Sequence, residues 1–290
     1  IKINIPTFSY LNLFYTWIGL FMYKLISKKK SLGNNSFLNK VVSSLFFPNI
    51  KNENLKGCVS FYDGSFLDTR MIISLLQTAS SKGANIKNYC EVNGFLYDEN
   101  QKIIGVKYFD KFENKDYEIF SKCVINASGA DIDNMRFLDD KNSDEILALS
   151  SGVHIVVKKE FLGSNEALLI SNTSDGRIIF ILPYLNHCLI GTTDNSCVYE
   201  ENIKTKDSEI EYLLNEVNIY FQKPLKKEDI LSSWSGIRPL IKNTDKSSTQ
   251  EIVRDHLITS SKNGLVSIAG GKWTTYRKMA EDLMDFLVDE

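Results

Sequence analysis

The sequence predicts an α+β fold, with α/β as the alternative, and an antiparallel sheet in its second half. Three observations support this prediction. Residues 85–127 alternate between apolar and polar with turn signals between the runs, residues 151–194 contain four apolar strand-like runs, and residues 207–221 have the spacing of an amphipathic helix. Because strand and helix patterns are mixed along the chain, neither an all-helical nor an all-β fold fits.

The composition excludes one class of function and limits others. The chain of 290 residues is long enough for one large domain or two smaller ones, and its formal net charge of -2 argues against a nucleic-acid-binding protein. Its five cysteines are scattered without a C-x-x-C pair. They predict reduced thiols rather than a disulfide framework or a zinc site, and we expect no metal site.

The N-terminal segment predicts a helix over residues 8–26. Its apolar run is too short and too interrupted to predict a membrane span. We expect a buried helix with a solvated basic end. The alternative is a helix that lies on a membrane surface, because aromatic side chains and the three lysines at positions 28–30 suit anionic lipid.

The next segment predicts two helices and a strand. Residues 31–50 are interpreted as a loop and a short helix that stops at Pro48, and a short strand begins at residue 57. Asp68 can cap a helix that starts at Thr69 and that Gly83 would end.

Residues 85–127 predict three strands with turns between them. The strands cover residues 85–97, 103–109 and 117–127, and the last one runs into "NASGADIDNMR". With the preceding helix, they resemble the outer part of a doubly wound sheet.

The rest of the chain predicts mainly strands, interrupted by one helix over residues 207–221. Strands are expected over residues 229–241, 251–261 and 264–271, before a final helix. The apolar face of the helix at 207–221 contains Ile210, Leu213, Leu214, Val217 and Phe221.

A first candidate binding element follows the strand "CVINASGA". Ala127, Ser128 and Gly129 are small residues at the carboxyl end of an apolar strand, where open α/β sheets bind nucleotides. An ordinary strand-to-loop turn is the alternative, and the motif is weak by itself. No G-x-G-x-x-G fingerprint occurs in the sequence.

A second candidate element is the stretch "AGGKWTTYR", which joins a strand to the last helix. Gly270, Gly271, Lys272, Trp273, Thr274 and Thr275 combine backbone N–H groups, hydroxyls and an ammonium at a helix N-terminus, which suits an anion. Lys272, Arg277 and Lys278 place cations where the helix dipole disfavours them. Either this turn is solvated or an anionic group docks on it.

Two single residues are further candidates. Arg238 lies between Gly236 and Pro239, which would hold a guanidinium in an extended segment aimed at a phosphate or carboxylate, although a surface arginine at a turn is an equal alternative. Of three histidines, His154 is the best candidate base because it lies where a strand meets a loop; a structural histidine is the common alternative.

Taken together, these stretches resemble the FAD-dependent glycerol-3-phosphate dehydrogenases, over nearly the whole chain and in the same order. The resemblance is carried by "WIGLFMYKLIS", "FYDGSFLDTRMIISLLQTASSKGA", "KCVINASGA", "SSGVHIVV", "SDGRIIFILPY", "LIGTTD", "WSGIRPL" and "SIAGGKWTTYRKMAEDLM". Ser128 stands where the family usually has threonine.

The resemblance implies a fold and an activity. The fold would be part of a glutathione-reductase-type FAD-binding domain interleaved with an antiparallel-sheet substrate domain. The activity would be oxidation of sn-glycerol 3-phosphate to dihydroxyacetone phosphate, with hydride transfer to FAD and onward transfer to quinone. The protein would sit on the mitochondrial inner membrane as a peripheral protein, or on a bacterial cytoplasmic membrane.

The resemblance also implies roles for the candidate residues. His154 would be the catalytic base, and Arg238 and Lys272 would bind the substrate phosphate. FAD would be bound by Ala127, Ser128 and Gly129 and by the turn from Gly270 to Thr275.

The same resemblance implies a division of the chain. Residues 1–57 would form a connecting helical segment of the substrate domain, 58–150 part of the FAD domain, 151–260 the substrate domain, and 261–290 the return strand and helix of the FAD domain. In the family a segment with the glycine fingerprint precedes Ile1 and a helical domain follows Glu290, so we expect a central fragment that binds FAD poorly without the missing N-terminal segment.

Two other functions remain open at this point. One is a related flavin oxidase that uses oxygen, of the glycerophosphate or amino-acid oxidase type. An amino-acid oxidase needs no second phosphate cation, so the pair of Arg238 and Lys272 argues against that substrate. The other is a structural fragment without activity of its own.

Overall fold

The structure is a computed structural model, which describes residues 1–27, 31–242 and 256–289. Its helices are α1 (Tyr10–Ser27), α2 (Lys40–Phe46), α3 (Asp68–Ser81), α4 (Ile132–Asp139), α5 (Asp207–Asn218) and α6 (Tyr276–Asp289). Its strands are β1 (Lys2–Thr7), β2 (Ser36–Asn39), β3 (Gly57–Tyr62), β4 (Cys90–Tyr97), β5 (Ile103–Asp110), β6 (Lys115–Phe120), β7 (Val124–Asn126), β8 (Leu147–Lys158), β9 (Ala167–Ile170), β10 (Ile179–Tyr184), β11 (His187–Gly191), β12 (Asn195–Ser196), β13 (Ser232–Ile241), β14 (His256–Ser260) and β15 (Leu265–Gly270).

The chain forms two compact units. Unit 1 contains Ile1–Leu67, Ser151–Asp194 and Asn202–Gly236, and unit 2 contains Asp68–Ser150, Asn195–Glu201 and Ile237–Glu290. These units are defined by contacts alone. The predicted substrate domain and FAD domain are defined by what they bind, so that division stays a prediction.

Unit 1 is built on a mainly antiparallel sheet. Strands β8, β11, β10, β9, β1, β3 and β2 are hydrogen bonded in that order, and only the pair of β1 and β9 is parallel. Alternate residues of β8, such as Val153, Ile155 and Val157, are fully buried. They belong to one apolar cluster that also includes side chains of β10 and α5.

Helix α5 covers this cluster with the face that its sequence predicts. Ile210, Leu213 and Val217 are buried, Leu214 packs against them, and Phe221 is buried just beyond the end of the helix. The helix also contributes a buried carboxylate, because the Thr193 hydroxyl donates to Glu209 Oε1 at 3.1 Å.

Helix α1 contradicts the expectation of a buried helix. None of its residues is buried, and Leu11, Tyr15, Ile18 and Met22 are among its exposed apolar side chains. Its inner side still contacts the sheet, since Leu20 packs on the cluster of β1 and β9. A sequence that is apolar on nearly every side cannot show which side is covered. The lysines at positions 28–30 lie outside the described residues.

Within the described part of the chain, none of the helices combines the length and the apolar content that crossing a bilayer requires.

The first 50 residues contain two strands that the sequence analysis missed. β1 is the inner strand between β3 and β9, and β2 pairs with β3 at the edge of the sheet. Both are short and lie beside helix-like patterns. The short helix expected before Pro48 is confirmed as α2, where Asn39 Oδ1 accepts a hydrogen bond from the Val42 N–H at 3.0 Å.

The described part of unit 2 contains two small sheets, and here the third predicted strand divides in two. β4, β5 and β6 form an antiparallel meander, but β7 pairs with β15 in the sheet β14–β15–β7. The change of partner occurs after Ser121, whose N–H still donates to Ile104 O at 2.8 Å. Alternation of apolar residues shows that a segment is extended but not which strand it pairs with.

None of the five cysteines forms a disulfide bond in the described part of the chain. Cys58 and Cys188 are buried in the core of unit 1, and burial raises the pKa of Cys58 to about 11 and that of Cys188 to about 12.

Candidate functional site

The central feature of unit 2 is the parallel pairing of β7 with β15. Val124 lies opposite Leu265 and Asn126 opposite Ser267, so both strands end at the same edge of their sheet. Each strand is followed by a glycine turn, a short 3-10 turn and a helix. Two stretches far apart in sequence therefore end at one edge of a sheet, the edge where open sheets bind ligands.

Asn126 builds the first of these turns. Its buried amide donates to Ile132 O at 3.0 Å and to the Ser267 hydroxyl at 3.3 Å. Its Oδ1 accepts from the Ser128 N–H at 3.3 Å and from the Ser128 hydroxyl at 2.7 Å. The Ser128 side chain is thus used inside the turn, although Ala127 and Ser128 are both exposed residues.

Three glycines set the shape of the two turns. Gly129, Gly270 and Gly271 have φ angles of 65°, 71° and 75°, a region that other residues rarely adopt. A Cβ on Gly129 would meet no atom within 4 Å, whereas one on Gly271 would lie 2.4 Å from Met279 Sδ. Gly129 therefore leaves open space beside the turn, and Gly271 allows the second turn to pack on α6.

The turn after β15 presents polar groups to solvent. Lys272, Trp273, Thr274 and Thr275 are all exposed. The Thr275 hydroxyl donates to Lys272 O at 3.0 Å and accepts from the Lys272 N–H at 3.3 Å, so it closes the 3-10 turn. Within the described residues the Lys272 ammonium has no ion pair. The turn has no acidic residue, so its N–H groups and the ammonium give it a positive character.

Of the three cations near the start of α6, Lys272, Arg277 and Lys278, two form ion pairs with acidic residues of the same helix. Arg277 pairs with Glu281 at 3.1 Å and Lys278 with Asp282, each one helical turn further on. The Lys278 ammonium holds the pKa of Asp282 below its usual value, with a smaller contribution from His256. Of these three cations, Lys272 therefore remains the candidate anion ligand.

His154 lies in unit 1, on β8, and Gly191 is its direct partner on β11. A Cβ on Gly191 would lie 2.3 Å from His154 Cδ2 and 2.8 Å from both Cγ and Nε2. The imidazole thus occupies the space that any side chain at position 191 would need. The ring of Trp234, on β13, stacks on the imidazole at 5.8 Å between centroids and 15° between planes.

The backbone beside His154 is fixed by a buried polar pair. The Val153 N–H donates to Thr193 Oγ1 at 2.9 Å, and that hydroxyl donates in turn to Glu209. Both hydrogen bonds are buried, so they link β8 to the segment after β11 and to α5.

Arg238 lies on β13, in the part of that strand that belongs to unit 2. The residue is half-buried and precedes Pro239 in extended structure. It is therefore a strand residue rather than an arginine at a surface turn.

The fold and these turns define the class of protein. The sequence pattern of the family "FAD dependent oxidoreductase" matches residues 10–277, and the chain belongs to this family. The prediction of FAD as the cofactor is confirmed at the level of the family.

Within this class, the chain is similar to glycerol-3-phosphate dehydrogenases. It is 38% identical over 292 residues to the probable mitochondrial glycerol-3-phosphate dehydrogenase of Caenorhabditis elegans, covering 100% of this chain and 40% of that protein. It is 37% identical over 295 residues to the mitochondrial enzyme of Mus musculus, covering 99% of this chain and 41% of that protein. The chain thus spans about two fifths of the length of these relatives.

A solved structure agrees with this similarity. The glycerol-3-phosphate dehydrogenase of Bacillus halodurans, complexed with FAD, superposes with a TM-score of 0.77 at 30% identity, over 99% of this chain and 51% of that one. The predicted fold class, an FAD-binding fold combined with an antiparallel sheet, is confirmed.

The predicted site residues stay predictions, but the structure adds three neighbours that the sequence analysis missed. Asn126 shapes the first turn, Gly191 makes room for His154, and Trp234 stacks on it. Gly191 and Trp234 stand 37 and 80 residues beyond His154, and no local pattern reveals such a contact.

We predict that Gly191→Ala destabilises the protein because its Cβ would overlap the His154 ring. Overpacking of this kind lowers the free energy of unfolding by about 1–3 kcal/mol. The control is Gly236→Ala on β13, where a Cβ meets nothing within 4 Å. Urea unfolding of both variants measures the difference. Equal effects of the two substitutions would contradict the close contact with His154.

Proposed function

We propose that the protein containing this chain oxidises sn-glycerol 3-phosphate to dihydroxyacetone phosphate, with FAD as the hydride acceptor and a quinone as the next electron acceptor. The observation that carries the proposal is the shared edge of the parallel strands β7 and β15, where each strand is followed by a glycine turn. Similarity to relatives named glycerol-3-phosphate dehydrogenase supports the choice of substrate.

The described residues fit one end of a flavin. The turn at Gly129 leaves open space, and the second turn has four exposed residues from Lys272 to Thr275, among them the Lys272 ammonium and the Thr274 hydroxyl. A planar, electron-rich ring edge needs a close backbone approach and hydrogen-bond donors of this kind. When bound, FAD supplies the acceptor for the hydride on substrate C2.

In this proposal His154 takes the proton of the C2 hydroxyl while the C2–H bond gives up its hydride. An imidazole is suited to this task because its pKa lies near physiological pH. The ring packs against Gly191 and stacks on Trp234. The backbone that carries it is held by the bond from Val153 to Thr193.

Arg238 and Lys272 would bind the substrate phosphate. A guanidinium on a strand presents a planar pair of donors to two phosphate oxygens, and an ammonium adds a point charge. Lys272 would also stabilise negative charge on the pyrimidine side of the flavin, together with the N–H groups of its turn.

We predict that Arg238→Ala raises KM for glycerol 3-phosphate and lowers kcat/KM by roughly tenfold to a hundredfold, because a charge-assisted bond to phosphate contributes about 1.5–3 kcal/mol. Lys272→Ala should act in the same direction. Steady-state kinetics of the FAD-loaded protein measure both effects.

The control for these variants is Arg70→Ala, which removes an exposed arginine of α3. If Arg238→Ala and Arg70→Ala gave the same kinetics, Arg238 would not be a phosphate ligand.

The exposed face of α1 supports the membrane and quinone parts of the proposal. Leu11, Tyr15, Ile18, Met22 and Leu25 follow one another at helical spacing and are between 42% and 63% exposed. Such a stripe on a helix matches elements that lie in a membrane interface.

Beside this stripe is an apolar groove of about 410 Å³, lined by Tyr10, Leu13, Phe14, Trp17 and Phe37. Its aromatic and aliphatic lining suits the ring and tail of a quinone. We therefore propose a peripheral location on the mitochondrial inner membrane, in keeping with the names of the relatives.

We predict that Ile18→Ser/Met22→Ser weakens vesicle binding by about tenfold to a hundredfold, because each apolar side chain contributes to burial in the interface. Co-flotation with phosphatidylcholine and phosphatidylserine vesicles measures the binding. The matched control is Ile119→Ser/Phe120→Ser, two exposed apolar residues of β6. Equal binding of the two double variants would argue against α1 as the membrane contact.

A further inference from the structure

On its β11 side, His154 faces a glycine. Its direct partner there is Gly191, and the imidazole lies against the backbone of that glycine. Rotation of a histidine ring about its last side-chain bond is a soft motion with broad minima. A contact that restricts the ring plane therefore favours a base whose action depends on the direction of a ring nitrogen.

Trp234 supplies a contact of that kind. Its indole is nearly parallel to the imidazole, with 15° between the planes and 5.8 Å between the centroids. Strand β13 pairs with β8, and the Leu231 N–H, at the entry to β13, donates to Val156 O at 2.8 Å. The indole is thus attached to the same strand that carries His154, through backbone bonds two to three residues away.

The geometry of this stack is compatible with proton transfer. A parallel stack touches the imidazole through its face and does not compete with hydrogen bonds made in the ring plane. An indole face also attracts positive charge, so the same contact favours the imidazolium that forms when the histidine accepts a proton. Trp234 is 41% exposed, so it is not a core residue of unit 1. A need for core packing therefore does not explain a tryptophan at this position.

We propose that Trp234 is a positioning residue for His154: it holds the imidazole plane for proton transfer from the substrate hydroxyl. This inference rests on the proposed function, in which His154 is the base. It assigns to Trp234 an effect on the chemical step and not on substrate binding.

The test is a double-mutant cycle on the FAD-loaded protein. Anaerobic stopped-flow absorbance follows reduction of the flavin by glycerol 3-phosphate in the wild type, Trp234→Leu, His154→Ala and the double variant. We expect Trp234→Leu to slow reduction at saturating substrate by about tenfold with KM little changed. We expect His154→Ala to slow it by about 10²–10⁴-fold and the double variant to be no slower than His154→Ala.

Two further variants separate positioning from folding. Trp234→Phe keeps a flat ring and should recover most of the rate. Phe120→Leu, an exposed aromatic residue of β6, should leave the rate unchanged.

The outcomes distinguish this inference from the proposal on which it rests. Slow reduction in His154→Ala with a normal rate in Trp234→Leu would overturn the role of Trp234 and keep that of His154. Additive losses in the double variant, or no recovery in Trp234→Phe, would also overturn it. A wild type whose flavin is not reduced by glycerol 3-phosphate would overturn the proposed function itself.

Discussion

The parallel register of β7 and β15 is the constraint on which the candidate cofactor site depends. Parallel strands end at one edge, so this pairing joins turns whose anchoring residues, Asn126 and Ser267, are 141 positions apart. Small residues then matter at each turn: Gly129 leaves space, and Gly271 lets the second turn pack on α6. A slip in register would move the Asn126 amide away from the Ser267 hydroxyl and separate the two turns.

A small residue also makes room for His154 in the other unit. A glycine opposite the histidine admits the imidazole, and an indole on the adjacent strand covers it. Both neighbours come from strands that are distant in sequence, so sheet pairing rather than local conformation creates this environment. The buried pair of Thr193 and Glu209 then holds the β8 backbone beside it. Chemistry assigned to His154 thus depends on three separate segments.

Much of the fold could be predicted because burial leaves a periodic pattern. The α5 face with Ile210 and Leu213 is an example, and so is the meander of β4 to β6. Strand partners could not be predicted, which is why residues 117–127 were expected to be one strand. The expectation of a buried α1 was wrong because its sequence is apolar on nearly every side. The short edge strand β2 lacks a clear pattern altogether.

For the site, glycine turns and strand ends could be recognised in sequence, but neighbours such as Trp234 could not. The ion pairs of Arg277 and Lys278 are visible in the sequence, because Glu281 and Asp282 follow them by four residues, the spacing at which opposite charges pair on a helix.

The central claim is that glycerol 3-phosphate gives its hydride to FAD in this protein. The most direct test is anaerobic mixing of the FAD-loaded protein with glycerol 3-phosphate. We predict loss of the flavin absorption in the blue with glycerol 3-phosphate and a far weaker response to glycerol, which lacks the phosphate. An unchanged spectrum, or equal responses to the two compounds, would contradict it.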